Sequence, residues 1–148
     1  MKSSRLNNLL AILFVLVSFP SASDQQGISL TVKVSGATPG KGQAILSLFA
    51  SSDSYLKQPA ISKTRHVDSN GQVVFKLAQL HVGTYALSIV YDEDSNGKLN
   101  TGFLGIPAEL VGFSNNAKGL FGPPAFEKAA FTLSVPTTIN ILLGKAKD

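Results

Sequence analysis

The sequence has no cysteine and only two histidines, His66 and His81, among its 148 residues. The lack of cysteine excludes disulfide bonds, thiol catalysis, cysteine-ligated zinc and a cysteine-linked lipid. A zinc site needs three or four ligands, which two distant histidines do not supply. A hydrolase needs a nucleophile, a base and an orienting group in contact, and neither histidine lies in a recognised catalytic motif. A Ser114–His81–Asp92 cluster is left open as a hydrolase-like alternative.

Apolar runs long enough to span a membrane are also missing. The run at 9–19 is well short of the roughly 20 residues that a membrane-spanning helix needs. It follows two basic residues and precedes Ser21-Ala22-Ser23, and this order is typical of a secretory signal peptide. We therefore predict that 1–23 are a signal peptide and that 24–148 form one exported domain, periplasmic or secreted. No membrane span is expected after cleavage.

Charged residues are sparse, at 15% of the chain, and the lysines form no run. Two of the 13 basic residues lie in the predicted signal peptide, so the net charge falls from +4 to +2 after cleavage. The lysines are not interleaved with aromatic residues, as they commonly are in nucleic-acid-binding proteins. We therefore expect no nucleic-acid partner.

Short segments in which apolar and polar residues alternate predict β-strands through most of the exported chain. Asn70-Gly71 between two such segments is a strong hairpin signal, and Lys63 and Arg65 on one face of the first arm predict a solvated edge strand. Turn signals recur roughly every 8–12 residues, with no convincing helical pattern. We therefore predict an all-β fold, a single antiparallel β-sandwich of about seven strands. These strands are expected at 26–35, 43–50, 61–67, 72–77, 84–91, 130–135 and 137–143.

The segment 91–126 interrupts this pattern with one long loop, which begins with oxygen-bearing side chains at alternate positions. The spacing Asp-x-Asp-x-Asn-Gly, which ends at Gly97, is that of the start of a calcium-binding loop. Calcium takes six to eight oxygen ligands at about 2.3–2.6 Å, and a chain that bends at a glycine can direct every second side chain inward. The predicted metal ligands are Asp92, Asp94, Asn96, the backbone carbonyl of Lys98, Asn100 and Glu109.

The ligand set departs from a complete calcium loop at one position. The bidentate glutamate expected six residues after Gly97 is replaced by Phe103. Glu109 would have to reach back through the Gly105-Ile-Pro turn to supply the missing carboxylate. We therefore expect weak calcium binding, with a Kd of about 10⁻⁴–10⁻³ M. The alternative is a tight turn of the Asx type whose acids face solvent and bind no metal.

The second half of the loop is rich in phenylalanine, asparagine, glycine and proline. Its phenylalanines either anchor the loop on the sandwich, because a long ordered segment must bury apolar surface, or present a platform to a ligand. Asparagines in such a segment either cap turns or present their amides to a ligand. The candidate ligand-binding loop consists of Phe113, Ser114, Asn115 and Asn116.

Four motifs occur in order along the long loop: Tyr91-Asp-Glu-Asp-Ser-Asn-Gly-Lys-Leu99, Gly105-Ile-Pro-Ala-Glu109, Gly112-Phe-Ser-Asn-Asn-Ala117 and Gly122-Pro-Pro-Ala-Phe126. Together they resemble the DUF2141 family of secreted bacterial proteins, and the resemblance covers essentially all of 24–148. It implies a signal peptide and a prealbumin-like or immunoglobulin-like sandwich. It implies no activity, so the calcium hypothesis rests on the residues alone.

Three functions follow from these observations. The first is an exported binding or accessory module for an unknown extracytoplasmic ligand or protein, with the long loop as its interaction surface and calcium as a candidate cofactor. The second is an enzyme with its site in 92–126. The third is a structural envelope protein that self-associates through an edge strand. The sequence leaves the oligomeric state open.

Overall fold

A computed structural model describes residues 27–98, 100–102, 108–120 and 122–145. The predicted all-β fold is confirmed, because these residues form eight strands and very little helix. The strands are β1 Ile28–Ser35, β2 Gln43–Phe49, β3 Ile61–His66, β4 Gln72–Leu80, β5 Gly83–Asp92, β6 Val111–Phe113, β7 Phe131–Leu133 and β8 Thr137–Leu142. A 3₁₀ turn spans Ser114–Asn116, and a single helical turn, α1, spans Phe126–Ala129.

Several predictions concern residues outside the described ranges. The predicted signal peptide, 1–23, is one of them, and Phe103, the 105–107 turn and Phe121 are the others. Within the described ranges, no helix is long and apolar enough to cross a membrane.

The strands form two sheets that pack face to face. One sheet has the order β4-β1-β8, and the other has the order β3-β2-β5-β6. The free side of β5 is shared, because β6 pairs with its Ser88–Val90 part and β7 pairs with its Gly83–Tyr85 part. The observed count exceeds the predicted seven by β6, a three-residue strand that lies inside the long loop.

One strand pair departs from the predicted antiparallel arrangement. β1 and β8 run parallel, from Leu30 opposite Thr137 to Ser35 opposite Leu142, whereas the other described pairs are antiparallel. β7 runs antiparallel to β5, and the chain then turns through Ser134–Pro136 to start β8 beside the start of β1. An alternating pattern specifies which side chains face the core and not the direction of the neighbouring strand, so the prediction was wrong for this pair.

The core lies between the two sheets and is built from apolar residues of six strands, β1, β2, β4, β5, β7 and β8. Leu30 and Val32 of β1 and Phe75 of β4 face Leu46 and Ile89 of the second sheet, and all five side chains are fully buried. Alternation therefore places one row of each strand inside, as the sequence predicts. The inward row of β5 ends at Tyr91, directly before the acidic loop.

β3 is a solvated edge strand, as predicted. It pairs with β2 alone, and its Lys63 and Arg65 are exposed. The register places Lys63 opposite Leu46 and Arg65 opposite Ala44, so both cations lie on the core side of the sheet, at its open edge. Charges in this position oppose pairing with the edge of another molecule.

A smaller apolar cluster holds the long loop on the outer face of the five-stranded sheet. Its buried members are Phe49, Tyr55, Ala86 and Ala129, and Phe113, Ala117 and Phe126 pack against them. The rings of Phe49 and Phe126 both meet Tyr55 edge to face. Phe113 and Phe126 therefore act as anchors, which is the first of the two predicted interpretations.

Candidate functional site

Asp92 is the last residue of β5 and the centre of the acidic site. It lies in register with Gln43 of β2, and its side chain is fully buried. Its Oδ2 accepts hydrogen bonds from Gln43 Nε2 at 2.7 Å and from the Gly97 backbone N–H at 2.8 Å. Its Oδ1 accepts one from the Asn96 backbone N–H at 3.0 Å. Asp92 thus ties the loop to two strands.

Burial and hydrogen bonding act on the Asp92 carboxyl in opposite directions. Burial is the largest single influence and favours the neutral form, because the carboxylate loses water. The hydrogen bonds from Gln43 and Gly97, with smaller contributions from Asp94 and Asn96, together outweigh burial and hold the pKa of Asp92 below its ordinary value. The site is therefore built around a buried anion at neutral pH.

The loop after Asp92 folds by repeated bonds from side chains to its own backbone. Asp94 Oδ1 accepts the Asn96 N–H at 3.2 Å, and Asn96 Oδ1 accepts the Lys98 N–H at 2.8 Å. Such i to i+2 bonds are Asx turns, which Asp and Asn favour. Ser95 and Gly97 both adopt positive φ, 57° and 75°. The alternation read as a ligand pattern therefore also specifies consecutive turns.

A glycine before β2 lets the two chain segments meet at this site. Gly42 has φ of 73°, and a Cβ built on it would lie 2.6 Å from the Asp92 carbonyl oxygen. A side chain would displace the Asp92–Glu93 backbone, because Cβ atoms do not approach that closely. Only glycine fits here without moving the buried carboxylate.

Glu109 joins the site from the far side of the loop, as its predicted role requires. Asn100 connects it to Asp94: the Asn100 Nδ2 donates to Asp94 Oδ2 and to Glu109 Oε1, both at 3.2 Å. The Asn100 backbone N–H donates to Glu109 Oε2 at 3.1 Å. The Glu109 side chain is nearly buried, at 9% exposure. Three carboxylates therefore converge although Glu109 is distant in sequence.

The spacing of these carboxylates suits a single cation. One oxygen from each of Asp92, Asp94 and Glu109 lies within 4.8 Å of the other two. Oxygen ligands at about 2.3–2.6 Å from calcium lie at most about 5 Å apart, so the three can share one ion. Asn96 and Asn100 both donate their amide N–H groups to Asp94, and Asn96 also donates to the Asn100 amide oxygen. To act as ligands they must rotate their amides and present oxygen.

The rim of the site carries charges of both signs. Glu93 points away from the cluster and pairs with Lys41 Nζ at 3.0 Å and with the Thr38 hydroxyl at 3.2 Å. The hydrogen bond between Lys41 and Glu93 raises the pKa of Lys41 and lowers that of Glu93. The two residues line a shallow cleft that also contains Asp94, Asn100, Ala108 and Glu109. Neither Lys41 nor Gln43 was predicted from the sequence.

The candidate ligand-binding loop serves the fold in this structure. The Ser114 side chain is fully buried, and its Oγ accepts the Leu87 N–H and donates to the Ala129 carbonyl. The Asn115 Nδ2 donates to two backbone carbonyls of the α1–β7 segment. Asn116 accepts the Leu142 N–H and so binds the free edge of β8. These side chains join the loop to neighbouring strands, and Phe113 packs beneath them.

The three residues of the hydrolase-like alternative are not brought together. Asp92 ends β5, and His81 precedes its start. A strand of ten residues separates them by about 30 Å at 3.3 Å per residue. Ser114 lies beside Leu87, in the middle of β5, and its hydroxyl is engaged by backbone groups.

Comparison with known proteins gives one match. A protein-family model described as "Uncharacterized protein conserved in bacteria (DUF2141)" matches residues 32–140. The matched range runs from β1 into β8 and includes the whole acidic site. No curated protein and no solved structure matches the chain.

Proposed function

Since the chain belongs to the DUF2141 family of bacterial proteins, we propose its function from the acidic site: it is an exported β-sandwich binding module that binds calcium weakly. The proposed ligands are the carboxylates of Asp92, Asp94 and Glu109. Asn96, Asn100 and the Lys98 carbonyl complete the coordination. The observation that carries the proposal is the convergence of three carboxylate oxygens within 4.8 Å.

The geometry favours weak binding over tight binding. Asp92 already accepts three hydrogen bonds from Gln43 and the loop backbone, so few of its lone pairs face an incoming ion. The two asparagines must exchange hydrogen bonds for metal contacts, which costs part of the binding free energy. A Kd of about 10⁻⁴–10⁻³ M, as in extracellular calcium modules, follows from this donor set.

Calcium binding to the folded state alone raises its stability by mass action. With a Kd of about 0.1 mM and about 1 mM calcium, the free energy of unfolding rises by about 1.4 kcal/mol. For a domain of this size that corresponds to a rise in Tm of about 3–6 °C. Magnesium is expected to give a smaller shift, because it demands a tighter octahedral site and dehydrates reluctantly.

Thermal melting with and without calcium tests the proposal on protein recovered after export and stripped with EDTA. We expect the calcium-dependent rise in Tm to vanish in Asp94→Asn and Glu109→Gln. It should persist in Glu93→Gln, which removes the same charge from the adjacent residue outside the cluster. Each variant is compared with itself in EDTA, so a loss of intrinsic stability does not affect the result. The proposal fails if 10 mM calcium leaves the wild-type Tm unchanged or shifts all three variants equally.

A further inference from the structure

The outer face of the sheet β4-β1-β8 carries exposed cations and exposed apolar side chains together. The inward rows of these strands fill the core, so the alternate residues point outward. The register forms two neighbouring outward rows across the three strands: Lys76, Thr31 and Thr138, and Val74, Lys33 and Asn140. We call this surface the lysine face; it is defined by Lys33, Val74, Lys76 and Leu142.

The three strands of the lysine face carry no acidic residue. β1, β4 and β8 contain two cations, Lys33 and Lys76, and no Asp or Glu. In the described part of the chain, neither lysine has a carboxylate within 4 Å, since the ion pair found there joins Lys41 to Glu93. The pairing of β1 with β4 therefore brings two lysines that are distant in sequence onto one sheet face.

Apolar side chains are exposed among these cations. Val74 is 38% exposed and Leu142 is 64% exposed. Val74 lies directly opposite Lys33, and Leu142 lies opposite Ser35 in the next outward row. A soluble polyanion would engage the lysines and leave these two side chains in water. The surface of an anionic membrane offers phosphate groups to the lysines and an apolar boundary to the aliphatic side chains.

We propose that the lysine face docks the protein on the surface of membranes that contain anionic phospholipid. The attachment is peripheral, because the surface is a sheet face and inserts no helix. It involves the three-stranded sheet, whereas the acidic site lies at one end of the five-stranded sheet. The docking surface is therefore separate from the proposed calcium site, and the test of one proposal does not depend on the outcome of the other.

The charge contribution sets the size of the effect. Each lysine near an anionic surface strengthens binding about fivefold at physiological ionic strength, so that Lys33 and Lys76 together contribute about 30-fold. The attraction is screened by salt, and binding should be largely lost near 1 M salt, where the Debye length is about 3 Å.

Co-sedimentation with vesicles tests the proposal, with exported protein and vesicles of phosphatidylglycerol mixed with phosphatidylcholine. Lys33→Gln/Lys76→Gln is expected to weaken binding about 30-fold. The matched control is Lys57→Gln/Lys128→Gln, which removes the same net charge from the 51–58 turn and from α1 and should change binding less than about threefold. Circular dichroism confirms that both pairs remain folded.

A second pair of variants separates a membrane from a soluble polyanion. Val74→Thr/Leu142→Thr keeps all charges and uses residues that suit strands. It should weaken binding to vesicles and leave binding to dextran sulfate unchanged. The proposal is overturned if wild type does not bind anionic vesicles, if both lysine pairs lose binding equally, or if the threonine pair binds vesicles as well as wild type.

Discussion

Replacing Asp92 by asparagine tests how strongly one buried carboxylate holds the acidic loop. The side chain is fully buried and accepts three hydrogen bonds, from Gln43 Nε2 and from the backbone N–H groups of Asn96 and Gly97. Asparagine has the same shape, but its amide nitrogen donates where an oxygen accepted. At least one of the two backbone N–H groups, or the Gln43 amide, then faces another donor.

The expected loss follows from these contacts. A hydrogen bond to a charged group contributes about 1.5–3 kcal/mol, and a buried donor left without a partner costs about 1–3 kcal/mol. Gln43 can relieve part of this cost by rotating its amide to present oxygen, whereas the backbone N–H groups of Asn96 and Gly97 cannot. We therefore expect Asp92→Asn to lower the free energy of unfolding by about 2–4 kcal/mol at pH 7.

The pH dependence gives a second, independent check. Although burial acts to raise the pKa of Asp92, its hydrogen bonds hold that pKa below the ordinary value in the folded protein. A lowered folded pKa contributes stability above the unfolded pKa of about 3.9, and this stability is lost as the pH falls through the folded pKa. Asparagine does not ionise, so the variant has no such pH-dependent contribution. The difference in free energy of unfolding between wild type and Asp92→Asn should therefore become smaller as the pH falls below 4.

Urea denaturation in EDTA at several pH values between 7 and 2.5 measures both quantities without a contribution from bound metal. Asp53→Asn is the control, because Asp53 is exposed in the turn after β2 and its loss should cost less than about 0.5 kcal/mol. A deficit for Asp92→Asn below about 0.5 kcal/mol at pH 7, or one that stays constant in acid, would refute the reasoning.

Two further predictions concern the cluster beneath the long loop. Tyr55 is 9% exposed, and its hydroxyl has no partner among the described residues, so Tyr55→Phe should raise the free energy of unfolding by about 1–2 kcal/mol. Burial raises the pKa of Tyr55 to about 12, so the unfolded wild type loses the tyrosine proton at a lower pH than the folded protein, and wild type loses stability as the pH rises from 10 toward 12. The difference in Tm between Tyr55→Phe and wild type should therefore grow over this range, and a constant difference would contradict the prediction. Ser114→Ala leaves the Leu87 N–H and the Ala129 carbonyl without their partner and should cost about 2–3 kcal/mol in urea denaturation. The exposed control Ser134→Ala should lower the free energy of unfolding by less than about 0.5 kcal/mol. If both serine variants lose the same free energy of unfolding, the buried hydrogen bonds of Ser114 do not stabilise the fold more than an exposed serine does.

The strands that were predicted well have one face in the core and one in water. β1 was predicted at 26–35 and observed at Ile28–Ser35 because Leu30, Val32 and Val34 alternate with polar residues. β4 was predicted to end at 77 and continues to Leu80. Its last part contains an irregularity opposite Ile28–Leu30, where Gln79 has a positive φ of 61°. A bulge of this kind shifts the alternation, so the pattern ends before the strand does.

Pairing partners distant in sequence explain what the strand pattern missed. β6 has three residues, too few for a periodic signal, and it is a strand because Gly112 lies opposite Ile89. Gln43 was not predicted as a site residue because its role depends on a pairing partner distant in sequence: the register places it opposite Asp92. A glutamine at the start of a strand has no feature of its own that indicates such a contact.

The acidic loop shows that residue types alone leave two interpretations open. Asp94 and Asn96 suit both a calcium loop and an Asx turn. In this structure they form the turns, and the Asp94 carboxylate also converges with those of Asp92 and Glu109. Ser114 likewise suits a ligand contact or a buried structural bond. For Ser114 the hydrogen bonds decide between them, because backbone groups engage its hydroxyl both as acceptor and as donor and so leave no proton for a ligand.

The parallel pairing of the first and last strands has a consequence for how the chain reaches its native state. β1 lies at the middle of its sheet, yet one of its two neighbours, β8, follows it only after the whole of the intervening segment, 36–136. Contacts between segments so far apart slow folding, since a large loop must close first. β1 therefore remains without one of its two neighbours until 36–136 have been made, and an exposed strand edge is prone to aggregation during this time. A truncation before Thr137 would remove β8 and expose the backbone N–H and C=O groups of β1 from Leu30 to Ser35. We expect the truncated chain to aggregate and not to form a smaller folded protein.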